Sequence, residues 1–209
     1  LAALNTADIA AIESADIKAL AATALAGLGS AQVEALTSSQ LAAMSSAQIA
    51  ALPVDPASLA GLSSTDIANL SSLQVAALTS AQLAALTSTQ LAAIETADIK
   101  ALSTAALRAL NADQLSTLSA GQVAALSSSQ VASLTADQLA GLSTTTLNAM
   151  GTALCAGLTS TQVAALTAAQ VAKLETADLA ALTTAALKGL SVEGVAALTT
   201  AQMLAISTA

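Results

Sequence analysis

Leu78-Thr79-Ser80-Ala81-Gln82-Leu83-Ala84-Ala85 is followed directly by Leu86-Thr87-Ser88-Thr89-Gln90-Leu91-Ala92-Ala93. The same eight-residue phrase, roughly Leu-Thr-x-Ala-Gln-(Leu/Val/Ile)-Ala-Ala, recurs about 25 times between Leu4 and Ile206, in one frame with one break. Self-similarity at a fixed period is the mark of a solenoid or array. With the opening Leu as position 1, the class of fold follows from what each position of the octad is suited to do.

Position 2 is Ser, Thr, Asn or Gly in 20 of 25 octads, and these are favoured helix N-caps. Position 5, three residues on, is Gln or Asp in 18 of 25. That spacing is a capping box, in which the hydroxyl accepts from the N3 amide and the Gln reaches back to the N-cap amide. Positions 1 and 6 are large and apolar, so they fall at N′ and N4, the two ends of a hydrophobic staple. What repeats is therefore a helix start.

A single long helix does not fit. Eight residues at ~100° each carry successive position-1 leucines ~80° around the axis, so no apolar stripe forms. A β-solenoid fits poorly as well. Positions 1 and 6 have opposite parity and would face opposite sides of a strand. Ala, common at positions 4, 7 and 8, is a good helix former and a poor strand former. The expected fold is all-α: a solenoid or superhelix of very short helices, one per octad, with a core of position-1 and position-6 side chains. Leu78, Leu83, Leu86 and Leu91 should be buried, and Lys100 and Arg108 exposed. One octad holds too little apolar surface to fold alone. Ala burial and hydrogen bonding between octads must supply the rest.

Residues 1–209 read as one continuous array without a change of composition. It begins at position 6 and stops at position 4, with no opening Met, which points to a segment of a longer array. The break in frame is a ten-residue unit at 52–61, where Asp55 could cap a helix that starts at Pro56. A longer period is also visible. Glu-(Ser/Thr)-Ala-Asp recurs at Glu13–Asp16, Glu95–Asp98 and Glu175–Asp178, each followed by Ala at position 5 of the next octad: Ala24, Ala106 and Ala186. Two accounts are open: duplication of an ancestral segment of ten octads, or a superhelix that completes one turn every ten octads.

Composition removes several function classes. The chain has no Phe, Tyr, Trp or His, hence no platform for stacking bases or sugars and no imidazole for catalysis or metal. Thirteen acidic against five basic residues give a net charge of −8, which argues against nucleic acid and anionic membranes. Each octad carries hydroxyl, amide or carboxylate groups, so a membrane-spanning run of ~18 apolar residues is not expected. The one cysteine, Cys155, occupies a core position and reads as a small buried hydrophobe. Gly27, Gly61, Gly141, Gly157 and Gly189 share position 8, where they should serve a helix end or a close approach between octads.

The acidic pairs are the only constellation that resembles chemistry. Glu13 with Asp16, Glu95 with Asp98, and Glu175 with Asp178 each put two carboxylates on one face of a short helix, an arrangement that suits a hard cation or acid–base work. First-turn acids also meet the positive end of the helix, and Asp is a fair substitute for Gln in the capping box, which is the preferred reading. No catalytic residue, cofactor or small-molecule substrate is expected.

The phrase Leu-Thr-x-x-Gln-(Val/Leu/Ile)-Ala-Ala, clear at 158–165 and nearly intact at 166–173, resembles octapeptide arrays of very large bacterial surface or secreted proteins, including adhesin-like ones. The resemblance covers nearly all of the chain and implies export, an extracellular or cell-surface location and a bacterial source. It transfers no active-site residue. The resulting expectation is a non-enzymatic structural protein forming a stalk, tube or fibre segment. Its partners would be further repeats of the same chain or copies meeting end to end through Leu1, Leu4, Met203 and Ile206. A repetitive binding module for a surface or ligand, assisted by calcium, is the alternative.

Overall fold

A computed structural model describes residues 1–54 and 59–207. Nearly every described octad forms one short helix, such as Ser38–Ala43, Ser80–Ala85, Ser128–Ser133 and Ala168–Lys173, and no strand occurs among the described residues. The boundaries follow from the capping chemistry. In Ser80–Ala85, Thr79 is the N-cap, with extended backbone (φ −70°, ψ 160°), and accepts from the Gln82 amide. The Gln82 side chain in turn accepts from the Thr79 amide, completing the box. At the other end Leu86 returns to extended backbone (φ −67°, ψ 142°), and its N–H donates to Leu83 O at 3.2 Å. Positions 1 and 2 are thus both extended, and the chain turns there without a left-handed residue. Among the described residues Gly151 alone has a positive φ, 65°.

The octad buries positions 1, 5 and 6. Leu78, Leu83, Leu86 and Leu91 are all in the core, and Lys100 and Arg108 are exposed, as the apolar pattern predicts. Ala does not contribute as expected, since Ala81 and Ala84 are exposed and Ala85 is only half-buried. The third buried position is polar: Gln82 is 0 % exposed.

Two compact units are present, Leu1–Ala109 and Leu110–Ala209, and the same rule of packing governs the inside of each. Each helix packs on the helix three octads later. In the first unit Ser14–Ala19 packs on Ser38–Ala43, and Ser80–Ala85 on Thr104–Ala109. In the second, Ala112–Ser116 packs on Ala136–Ala140, and Thr176–Ala180 on Thr200–Ser207. A turn of the solenoid therefore takes three to four octads. This corrects the idea that ten octads complete one turn; the recurrence of the Glu-x-Ala-Asp motif does not mark a single superhelical turn. The physical reason is the sharp change of direction at every cap, which brings the chain back on itself within about thirty residues.

Both expected roles of the position-8 glycines occur: Gly141 is the C-cap of Ala136–Ala140, and several approach a neighbouring turn closely. A Cβ on Gly189 would lie 2.1 Å from the Ser160 carbonyl oxygen, and one on Gly141 would lie 3.1 Å from the Ala112 Cβ. A Cβ on Gly157 would make ordinary contact with Ser128 at 3.5 Å and a tighter one, 3.3 Å, with the Leu154 carbonyl oxygen. Gly27, in the third octad, meets nothing closer than 3.8 Å. Pro53 is half-buried in irregular chain after Ser46–Ala51. The expected Asp55 cap and Pro56 helix start lie outside the described residues.

Candidate functional site

The feature that organises the molecule is a ladder of buried glutamines. Gln82 shows the rung. Its Oε1 accepts from the Thr79 amide at 2.9 Å and the Thr79 hydroxyl at 3.2 Å. Its Nε2 donates to two carbonyl oxygens a full turn earlier, Ile49 O at 2.8 Å and Leu52 O at 3.0 Å. Both hydrogens of the amide and its oxygen are used, which satisfies a buried side-chain amide. The two acceptors lie where the helical ladder of donors runs out at the end of Ser46–Ala51: Ile49 O, which also takes the Leu52 N–H, and the O of the C-cap Leu52. One side chain therefore caps the start of its own helix and the end of another.

The rung recurs throughout. Gln40 reaches Ile9 O and Ile12 O at 2.8 and 2.7 Å, and Gln48 reaches Ile17 O and Leu20 O at 2.7 and 2.8 Å. In the second unit Gln162 reaches Val131 O and Leu134 O, and Gln202 reaches Val171 O and Leu174 O. The sequence offset is 31 and 28 residues in these rungs, and 33 and 30 for Gln74 and Gln82, whose span crosses the ten-residue unit. Gln74 and Gln82 thus keep both bonds across the irregular unit. The capping box reveals half of this role in the sequence. The other half points at backbone carbonyls, which carry no residue identity.

Where Asp replaces Gln, the joint changes chemistry. A carboxylate cannot donate to carbonyls, and at two of these positions it takes a donor from the turn beneath. Asp66 accepts from the Ser38 hydroxyl at 2.5 Å, and Asp98 from the Ser72 hydroxyl. Asp66 also completes a box with Ser63.

The acidic pairs resolve into separate roles. Glu13 and Glu175 stand at N-caps but make no side-chain cap bond, so the expected box does not form there. At Glu95–Asp98 the turn is irregular and passes into a short 3-10 helix, Ile99–Ala101. Glu13, Asp16, Glu95 and Glu175 are exposed, whereas Asp98 and Asp178 are buried. The two carboxylates of the second and third pairs are thus divided between solvent and core. Among the described residues no three His, Cys, Asp or Glu side chains come together as a metal-holding group.

Cys155 is free and buried, and its thiol is pushed up to about 12, first by burial and then by the nearby Asp178 carboxylate. A thiol so raised is inert at neutral pH. No helix among the described residues is long and apolar enough to cross a membrane.

Short helices, a fixed period and a polar ladder between turns define a class, the α-solenoid repeat proteins. Within that class the ALTTAQ repeat pattern matches residues 9–46, 59–93, 91–128 and 171–208, more than half of the chain. The chain belongs to the ALTTAQ repeat family. No curated protein matches it.

Proposed function

We propose that this chain is a non-enzymatic structural scaffold, a solenoid segment that serves as a stalk, tube or fibre at a bacterial surface. The observation that carries the reading is the use of the buried polar groups. In rung after rung the interior amide is fully engaged in joining one turn to the next. The outward positions are mostly Ser, Thr and Ala, small side chains suited to a passive surface. The surface location rests on the resemblance to adhesin-like octapeptide arrays.

End-to-end self-association belongs to the same reading. Val195 and Met203 occupy position 6, which is buried along almost the whole array, yet they are 48 % and 51 % exposed, beside Val192 and Leu204. Another turn of octads from a second copy would cover them.

The experiment is a measurement of length. Small-angle scattering from the 209-residue chain and from a genetic tandem of it should give a doubled long dimension at constant cross-section. A tandem that adds a second compact body without added length would sink the scaffold reading. A binding module remains the second reading. It is favoured by an open groove of about 830 Å³ lined by Ser160, Thr161, Thr184 and Lys188.

A further inference from the structure

One rung of the ladder has neither of the two chemistries described above. Asp178 stands at position 5 on helix Thr176–Ala180, where most octads have Gln. Its side chain is 3 % exposed, and its Oδ2 is buried without a hydrogen-bond partner. Asp98 is answered by Ser72, 26 residues earlier. The residue at that offset from Asp178 is Thr152, which gives its Oδ2 no bond.

The octad beneath also departs from the pattern. Position 1 is extended in most octads, as at Leu134 (φ −62°, ψ 145°), but Met150 is helical (φ −61°, ψ −35°). The next residue is Gly151, the left-handed glycine. Position 5 of that octad is Leu154, which brings no amide of its own. Irregular backbone and an unanswered carboxylate thus meet at one joint.

The groups around Asp178 offer no cation. Helix Gly151–Cys155, packed against Thr176–Ala180, contributes Cys155 as its one titratable group. Helix Thr200–Ser207, packed on the other side, contributes none. The N-cap of its own helix is Glu175, a like charge. A carboxylate with one oxygen sealed from water and unbonded is disfavoured, and the neutral acid is less so.

We propose that Asp178 carries a proton in the folded chain, and that its ionisation loosens the joint between Gly151–Cys155 and Thr176–Ala180. The joint is a pH-sensitive hinge within the scaffold, closed in acid and opening as pH rises above the ordinary carboxylate range. Burial, and then Glu175, push the Asp178 acid upward from its usual value of 3.8. The sign follows from proton binding. The folded state holds this proton where the unfolded state has lost it. The stabilisation is therefore complete below the ordinary Asp value and is lost as pH rises through the raised one. The inference does not depend on where the scaffold resides.

Cys155 is a built-in reporter, as the chain's one thiol and buried on the facing helix. The test is the rate at which a small neutral maleimide alkylates Cys155 between pH 4 and pH 8, in the parent and in Asp178→Asn at each pH. An ionised Asp178 holds the parent's thiol up, which slows the parent relative to Asp178→Asn, so a faster parent cannot come from the thiol's own ionisation. The two rates should agree at the acid end. Above the Asp178 titration the parent should react faster, by up to about tenfold for each unit by which the folded-state value is raised. Asp178→Gln, which restores an amide donor, should protect like Asn; it also carries the test if the Asn variant fails to fold by circular dichroism. Parent and variant rates that coincide at every pH overturn the proposal. So does protection of the parent by calcium or sodium chloride at neutral pH to the level of Asp178→Asn, since a cation would then be the neutralising group.

Discussion

At the scale of the residue, the buried Gln explains why this sequence is so monotonous. At the shorter length Asp66 reaches a Ser38 side chain and not a carbonyl of the turn beneath, and Glu offers an acceptor where a donor is needed. Gln82→Glu should therefore destabilise the chain by about 3–5 kcal/mol at pH 7, the range for an uncompensated buried charge. The loss should shrink toward pH 4, because a protonated Glu donates to Ile49 O or Leu52 O again. Urea unfolding at the two pH values checks both the size and the sign. Half of this residue's role is legible from the sequence. Thr79 and Gln82 stand at capping-box spacing, and any reader of helix signals finds them. The donation across the turn is not legible. Its acceptors are backbone oxygens 30 and 33 residues away, and neither number is a multiple of the period of eight.

At the scale of the element, each helix is held by a cap, a core side chain and a close contact, and the three can be separated. Thr79→Ala removes the hydroxyl that accepts from Gln82 N at 3.2 Å, and should cost about 0.5–2 kcal/mol. Leu83→Ala leaves a cavity in the fully buried layer and should cost about 2–5 kcal/mol. Thermal melts of the two variants should rank in that order, and a loss below ~0.5 kcal/mol for Leu83→Ala contradicts its place in the core. The glycines give a paired test. Gly189→Ala drives a methyl into the Ser160 backbone and should destabilise by about 1–3 kcal/mol. Gly27→Ala makes only an ordinary contact at 3.8 Å and should be neutral or stabilise by about 0.4–1 kcal/mol. Their common position in the octad marks these glycines as special in the sequence. Which of them touch another turn depends on the stacking period, and that is set by the angle of the chain at Leu-Thr, which no residue type encodes.

At the scale of the whole molecule, the exposed position-6 side chains make association measurable. Static light scattering should show the mass of the parent rising with concentration, and Met203→Glu with Leu204→Glu should suppress the rise. A parent that stays monomeric at high concentration removes end-to-end contact from the proposed function. The architecture was open to sequence reasoning because caps and staples are local, so repeating them in register fixes an all-helical solenoid. The number of octads in a turn was not. The Glu-x-Ala-Asp recurrence suggested ten, whereas Ser14–Ala19 against Ser38–Ala43 gives three. The acidic pairs were legible as first-turn residues, but the burial of Asp98 and Asp178 follows from the turns packed around them.

The reach of the rungs has a consequence for the order of assembly. Each described bond from a Gln amide to an earlier turn spans 33 residues or fewer. No contact of this kind waits for the far end of the polypeptide, so the entropy of closing each loop stays small. A nascent chain can lock its first rung, Gln32 to Leu1 O and Leu4 O, once little more than one turn has emerged, then add a rung with each further Gln-bearing octad. Folding of this kind keeps pace with synthesis, is insensitive to the length of the array, and belongs with the fast, low-contact-order regime.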